Sequence, residues 1–215
     1  MSVLTNFSSL FLSAFGTTLK LFAFSAVGSL ILGTFLAMLR VSPVPVFRAA
    51  ATTYVGMLRN TPLTLVFFFF TFAYPLLKIL KLDPDPTAIV ALTLYTSAFV
   101  CEVVRSGINT VPVGQAEASR ALGLTFSQML ASVVLPQALR AVVPPLVSTM
   151  IALLKNTTVA AGFSVQDAGS ISYSLSEAGA DTLVGLGWVA FFFVLLVIPL
   201  TLLQRSLEKR WSVAR

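Results

Sequence analysis

The 215-residue sequence predicts an all-α membrane protein of five transmembrane helices, N-terminus outside and C-terminus cytoplasmic, forming a single domain over residues 1–215. Three observations predict it. Charged residues make up 10% of the chain and hydrophobic ones 57%, whereas a soluble domain carries about a quarter charged. Uncharged runs at 21–39, 60–77 and 182–204 hold 19, 18 and 23 residues, each long enough to cross a hydrocarbon core of ~30 Å as a helix. The basic residues, finally, gather on one set of alternating connections.

Taken in order, the first span (17–39) ends at Ser42-Pro43-Val44-Pro45, because a residue before proline avoids the helical region. The second (54–77) has Arg59, Thr61 and Pro62 near its start, where a missing N–H costs little. The third (87–108) follows the stiff turn Asp83-Pro84-Asp85-Pro86 and carries Glu102 and Arg105. The fourth (141–163) carries Lys155, and the fifth (184–205) is uncharged until Arg205. No basic residue precedes Lys20 and the first apolar stretch runs on to full span length, so no removable signal peptide is expected.

With the N-terminus outside, the cytoplasmic segments collect Arg40, Arg48, Arg59, Arg105, Arg120, Arg140, Arg205, Lys209, Arg210 and Arg215, ten of the 14 basic residues. Only Lys78 and Lys81 fall in an outer loop, which shares the outside with Asp83, Asp85, Asp167, Glu177 and Asp181. Membrane orientation thus accounts for the net charge of +6, spread over short loops rather than gathered into a nucleic-acid-binding patch. Tyr74 and Trp188 fall at expected outer interfaces. The lack of histidine removes the commonest general base and metal ligand, and a lone cysteine, Cys101, allows no intrachain disulfide. No G-x-x-x-x-G-K-[ST] phosphate loop occurs, so the chain is no ATPase by itself.

The connection 109–140 is too polar to span and too patterned to be slack. Pro112 and Gly114 precede a helix over 115–122 that stops at Gly123, a residue suited to a left-handed helix end. Thr125 with Gln128 three positions on has capping-box spacing for a second helix, which Pro136 is expected to bend or end. Glu117, Ala118, Gly123, Val133, Leu135 and Pro136 fall at the positions of the EAA loop of ABC importer permeases, and the segment resembles that loop throughout. Arg59 to Leu63 (RNTPL), Glu102 to Gln115 (EVVRSGINTVPVGQ) and Leu154 to Val159 (LKNTTV) are further similar to motifs of the polar-amino-acid permeases. Departures from the family pattern are Asn60 for Gly, Asn156 for the frequent Asp, and Phe99-Val100-Cys101 before Glu102.

The resemblance implies a non-catalytic permease subunit that works beside a second permease chain, identical or related, and a cytoplasmic ATPase dimer that binds ATP and Mg. It also implies an extracytoplasmic amino-acid-binding protein; the acidic segment 164–181 is either a docking surface for it or a solvated loop. The expected coupling residues are Glu117, Ala118, Arg120, Gly123, Leu135 and Pro136, with Ala116, Ala118 and Ala121 supplying the small side chains that helix-in-groove docking needs. Glu117 and Arg120, three apart, can pair with each other or with the ATPase.

Charges inside a bilayer cost ~2.5 to 3.5 kcal/mol each on insertion scales and therefore face cavities or partners. Lys155 and Asn156 are expected to meet a substrate carboxylate and Glu102 an ammonium group, with Arg59 and Thr61 as further candidates. The competing structural reading is a Glu102–Lys155 or Glu102–Arg105 pair that only holds helices together. Asn156 in place of Asp favours an acidic or neutral polar amino acid such as glutamate, aspartate or glutamine. An ion-coupled secondary carrier and a substrate-free half of a heterodimeric permease are the alternatives at this stage.

Overall fold

The computed structural model describes residues 2–211, and Arg215 of the basic count above lies outside them. Among the described residues the secondary structure is entirely helix and turn. After a short helix at Ser2–Asn6 come α1 (Ser8–Val41), α2 (Pro45–Arg59), α3 (Leu63–Leu77), α4 (Pro84–Asn109), α5 (Val113–Ala121), α6 (Phe126–Phe163) and α7 (Thr182–Trp211). The helices α1, α4, α6 and α7 are each long and apolar enough to cross a membrane, and α2 with α3 makes a fifth crossing if the bent pair counts as one.

The central pair is α1 against α4. Lys20 bonds Asp85 at 2.9 Å, Ser25 donates to the Ile89 carbonyl, Gly28 lies on Thr93 and Gly33 on Val100. Both numbers rise together, so the helices run parallel. Lipid tails supply no hydrophobic drive for such pairing, and association rests on close packing between small side chains. Gly33 shows how close: a Cβ there would lie 2.5 Å from Val100 Cβ and 2.7 Å from the Ser97 carbonyl.

Parallel packing of α1 and α4 obliges the chain to return between Val41 and Pro84 to the end from which α1 started. The α2–α3 pair makes that return, but not as the uninterrupted helix 54–77 expected from hydropathy. It bends by 104° at Asn60 to Pro62. The cause is local: Pro62 has no N–H for the Leu58 carbonyl and its ring crowds that turn, while Thr61 Oγ1 donates to the Met57 carbonyl at 2.7 Å and closes the first half. The second half loosens into π and 3-10 turns and ends at Lys78 in the left-handed region.

The fourth span also differs from expectation. Helix α6 starts at Phe126 and runs 38 residues through Pro136, Pro144 and Pro145 to Phe163. A π turn at Leu130–Val134 just ahead of Pro136 absorbs the proline, which sits in the first turn of the following α-helix where an N–H has least use. The segment is thus a rod that begins in the loop and continues as the span. Helix α4 packs on α6 with Gly107 against Val142, and α7 packs along α6 at the periphery with only Gly185 buried.

The connection between α6 and α7, which holds a short helix at Ile171–Glu177, folds back on the bundle. Ala168 N–H donates to Thr18 Oγ1 of α1 at 3.0 Å, and Ala168, Ile171 and Leu175 join Phe11 and Ala14 in an apolar cluster. Phe67 is fully buried and stacked on Phe163, while Phe68 and Phe69 are exposed on the bundle surface.

Candidate functional site

Four features meet the residues singled out in the sequence. The loop helix α5 is the first. Gly123, at φ +81°, closes it in a Schellman arrangement, with Gly123 N–H donating to the Arg120 carbonyl and Leu124 N–H to that of Ser119. Thr125 and Gln128 then cap α6 reciprocally, the Thr125 N–H donating to Gln128 Oε1 at 2.9 Å and the Gln128 N–H to Thr125 Oγ1 at 3.4 Å. Two caps back to back make a stiff corner, from which α5 buries only Ser119. Glu117, Ala118, Arg120, Ala121, Leu135 and Pro136 are all exposed, as are Val113, Leu122 and Phe126. No ion pair joins Glu117 to Arg120 among the described residues, so neither charge is used up within the helix.

The second feature is Glu102, where the structure brings together what the sequence treated separately. Arg40 Nη1 from α1 and Arg59 Nη1 from α2 both meet Glu102 Oε1, the latter at 3.3 Å, and Arg105 donates through Nε and Nη2 to Oε2 at 3.1 and 2.9 Å. The carboxylate is 19% exposed. Arg59 also lies over the Phe99 ring at 5.8 Å, a cation–π distance. Of the two structural pairings open at the outset, the one with Arg105 forms and the one with Lys155 does not. In the sequence Arg40 marks only orientation, and its approach from another helix, 62 positions away, leaves no local signal.

The third feature is a cavity of about 380 Å³ between α4 and α6, lined by Tyr95, Thr96, Phe99, Ser148, Thr149 and Asn156 among others. Thr96 is 3% exposed and its Oγ1 has no hydrogen-bond partner. A buried hydroxyl left unpaired costs free energy unless something else occupies the site. The sequence did contain a signal for this cavity: Ser148, Thr149, Ala152 and Asn156 recur at three- and four-residue spacing, a small and polar stripe along an apolar helix.

The fourth is the surroundings of Lys155. It opens not into the Asn156 cavity but into a separate groove of about 400 Å³ with Thr158, Phe193, Val194, Val197 and Ile198, between α6 and α7. Adjacent residues of a helix point about 100° apart, so Lys155 and Asn156 do not converge on one group within this subunit. Thr61 is occupied locally, its hydroxyl bonded to the Met57 carbonyl.

In the connection between α6 and α7, Asp167 is fully buried. Its Oδ1 accepts from Gly169 N–H at 3.0 Å while Oδ2 has no partner. Burial pushes its carboxyl from the ordinary 3.8 up to about 6, against the backbone N–H groups that pull it down.

Comparison with known proteins decides the class. Residues 29–213 match the family of binding-protein-dependent transport system inner membrane components. The chain belongs to that family. It is therefore a multi-pass inner-membrane permease, the non-catalytic translocation component of an ABC transport system. The glutamate transport system permease protein GluC of Corynebacterium efficiens is 43% identical to this permease over 95% of both chains. The probable glutamine ABC transporter permease protein GlnM of Bacillus subtilis is 36% identical, with 98% of this chain and 97% of the relative covered. Among solved structures, an amino acid ABC transporter crystallised with histidines superposes with a TM-score of 0.90 over 97% of each chain at 24% identity, which establishes the shared fold.

Proposed function

We propose that this permease imports a polar amino acid of the glutamate, aspartate or glutamine type, as one of two permease chains that share an ATPase dimer and receive cargo from an extracytoplasmic binding protein. The observation that carries the substrate reading is the cavity between α4 and α6. Its unpaired Thr96 hydroxyl, the Asn156 amide and the hydroxyls of Ser148 and Thr149 supply donors and acceptors suited to the polar groups of an amino acid. The similarity to GluC and GlnM points to the same cargo class.

In this reading five spans put the N-terminus outside and the C-terminus inside, with spans near 17–39, 54–77, 87–108, 141–163 and 184–205. The parallel run of α1 and α4 supports a crossing by the bent pair. The loop 109–140 faces the ATPase, and α5, with Glu117, Ala118 and Arg120 outward, seats in its groove. Gly123 and the Leu135-Pro136 joint hold the corner that turns ATPase closure into a movement of α6. Asn156 contacts the substrate. Lys155 faces the groove beside α7, where a carboxylate of the cargo or of the paired chain meets it, and Thr61 shapes the break in α2–α3. Arg59 and Glu102 belong to the charged cluster beside the cavity. ATP and Mg stay with the ATPase.

The test is amino-acid-stimulated ATP hydrolysis in liposomes by this chain purified with its ATPase and paired permease, in the presence of the binding protein. Stimulation by glutamate, aspartate or glutamine is expected, with Asn156→Ala cutting it about tenfold. Transport that follows an imposed ion gradient, with no ATPase copurifying, would overturn the proposal.

A further inference from the structure

Three guanidinium groups surround one carboxylate at the end of the bundle that carries α5, leaving the cluster of Arg40, Arg59, Arg105 and Glu102 with a net charge of +2. No other acidic side chain joins it among the described residues. Each arginine has five N–H donors in a planar fork, and the two oxygens of Glu102 use few of the total. Two cavities are lined in part by Glu102. One, about 280 Å³, is lined by Arg40, Arg59, Asn60, Thr52 and Phe99; the other, about 340 Å³, by Arg59, Arg105, Ser106 and Thr110. Arg59 lines both. It is the most exposed and least tightly held of the three, 45% exposed and 3.3 Å from Glu102.

We propose that these arginines form a second, oxyanion-binding site, distinct from the Asn156 cavity, in which a small carboxylate takes the spare donors of Arg59 and its neighbours while Glu102 holds the cluster in place. The geometry already fits a carboxylate, since Glu102 is one. Arg59 stands one residue before the break at Asn60 to Pro62, so an anion drawn to it is held where the α2–α3 pair bends. Phe99, under Arg59, lines both this site and the Asn156 cavity, which makes the two sites neighbours. On the importer reading above, on which the identity of the natural ligand rests, the occupant is the carboxylate of the cargo after it leaves the Asn156 cavity. A lipid phosphate presents the same oxyanion chemistry from the bilayer.

The experiment uses the purified complex in phosphatidylcholine nanodiscs without binding protein, with radiolabelled glutarate as the probe, a dicarboxylate that lacks an ammonium group. Saturable binding is expected, with Arg59→Gln weakening it at least tenfold and Arg59→Lys retaining most of it. Ser106→Glu, which places a competing carboxylate on an exposed position of the cavity wall, is expected to abolish it even if Arg59→Gln fails to assemble. Glutarate that does not bind, or binds equally to the native and Ser106→Glu complexes, overturns the site. Repeating the titration with phosphatidylglycerol in the nanodiscs separates the sources: competition by the lipid assigns the site to a headgroup, and unchanged binding assigns it to the soluble carboxylate. Because this is an equilibrium measurement, its failure is distinguishable from failure of amino-acid-stimulated ATPase activity, which tests the importer reading.

Discussion

Glu102 joins three segments that hydrophobicity alone would leave free to slide, the ends of α1 and α2 and the body of α4. Partly buried ion pairs gain little over an apolar substitute, but removing one partner strands the others. Glu102→Gln leaves Arg40, Arg59 and Arg105 facing one another without an anion. We expect a loss of about 1–3 kcal/mol, discounted from the fully buried case for the exposure of the arginines, read as a lower melting temperature of the detergent-purified complex. An unchanged melting curve would show that the cluster does not hold the helices. Asp167 works in the opposite sense. Its folded carboxyl titrates at about 6 against an ordinary 3.8, so the folded state holds the proton more tightly than the unfolded one. Below pH 3.8 the group is neutral in both states and costs nothing; the penalty grows as pH rises towards 6 and is complete above it. Asp167→Asn keeps an oxygen for the Gly169 N–H and removes the charge. It is expected to raise the melting temperature at pH 7.5 and to change it little near pH 4, and a gain equal at both would refute the buried-charge account.

Among the elements, the corner between α5 and α6 is the part whose shape is set most locally. Gly123 holds φ +81°, which an L side chain adopts only with strain. Gly123→Ala is expected to cost about 1 kcal/mol at the corner while leaving the span packing intact. The readout is less ATPase retained when the permease is purified at low concentration, with an unchanged global melting temperature. Full retention would mean that the angle of α5 is not what the partner reads. The bent α2–α3 pair is the contrasting case, because its 104° turn combines a local cause, Pro62, with a global one, the need to return beside α1.

For the whole molecule, the packing directions constrain topology. With α1 and α4 parallel and α7 starting beside Phe11 and Phe15, the first and last long helices put the two ends of the described chain at opposite ends of the bundle. An impermeant maleimide is therefore expected to label Leu80→Cys in intact cells or right-side-out vesicles and Ser127→Cys only after permeabilisation. Labelling of both from outside would overturn the orientation. Cys101, fully buried, does not interfere. Helix α7 exposes Leu186, Phe191, Val194, Ile198 and Leu202 along its length, an apolar surface suited to the lipid of the bilayer.

The properties that live in neighbouring residues are legible in the sequence alone. Helical class and the long apolar runs follow from composition, and the two caps of the loop from Gly123, Thr125 and Gln128. Each depends on groups within about four positions, where the backbone dictates which atoms meet. The tertiary structure alone decided which charges share a site. Arg40 reaches Glu102 across 62 residues, Lys155 and Asn156 part into different cavities despite being adjacent, and Thr96 and Asn156 line one cavity from two helices. Helix periodicity gives the face a residue occupies, but the partner of that face depends on how helices pack, and in a bilayer that choice rests on small side chains such as Gly33 rather than on hydrophobic patterning.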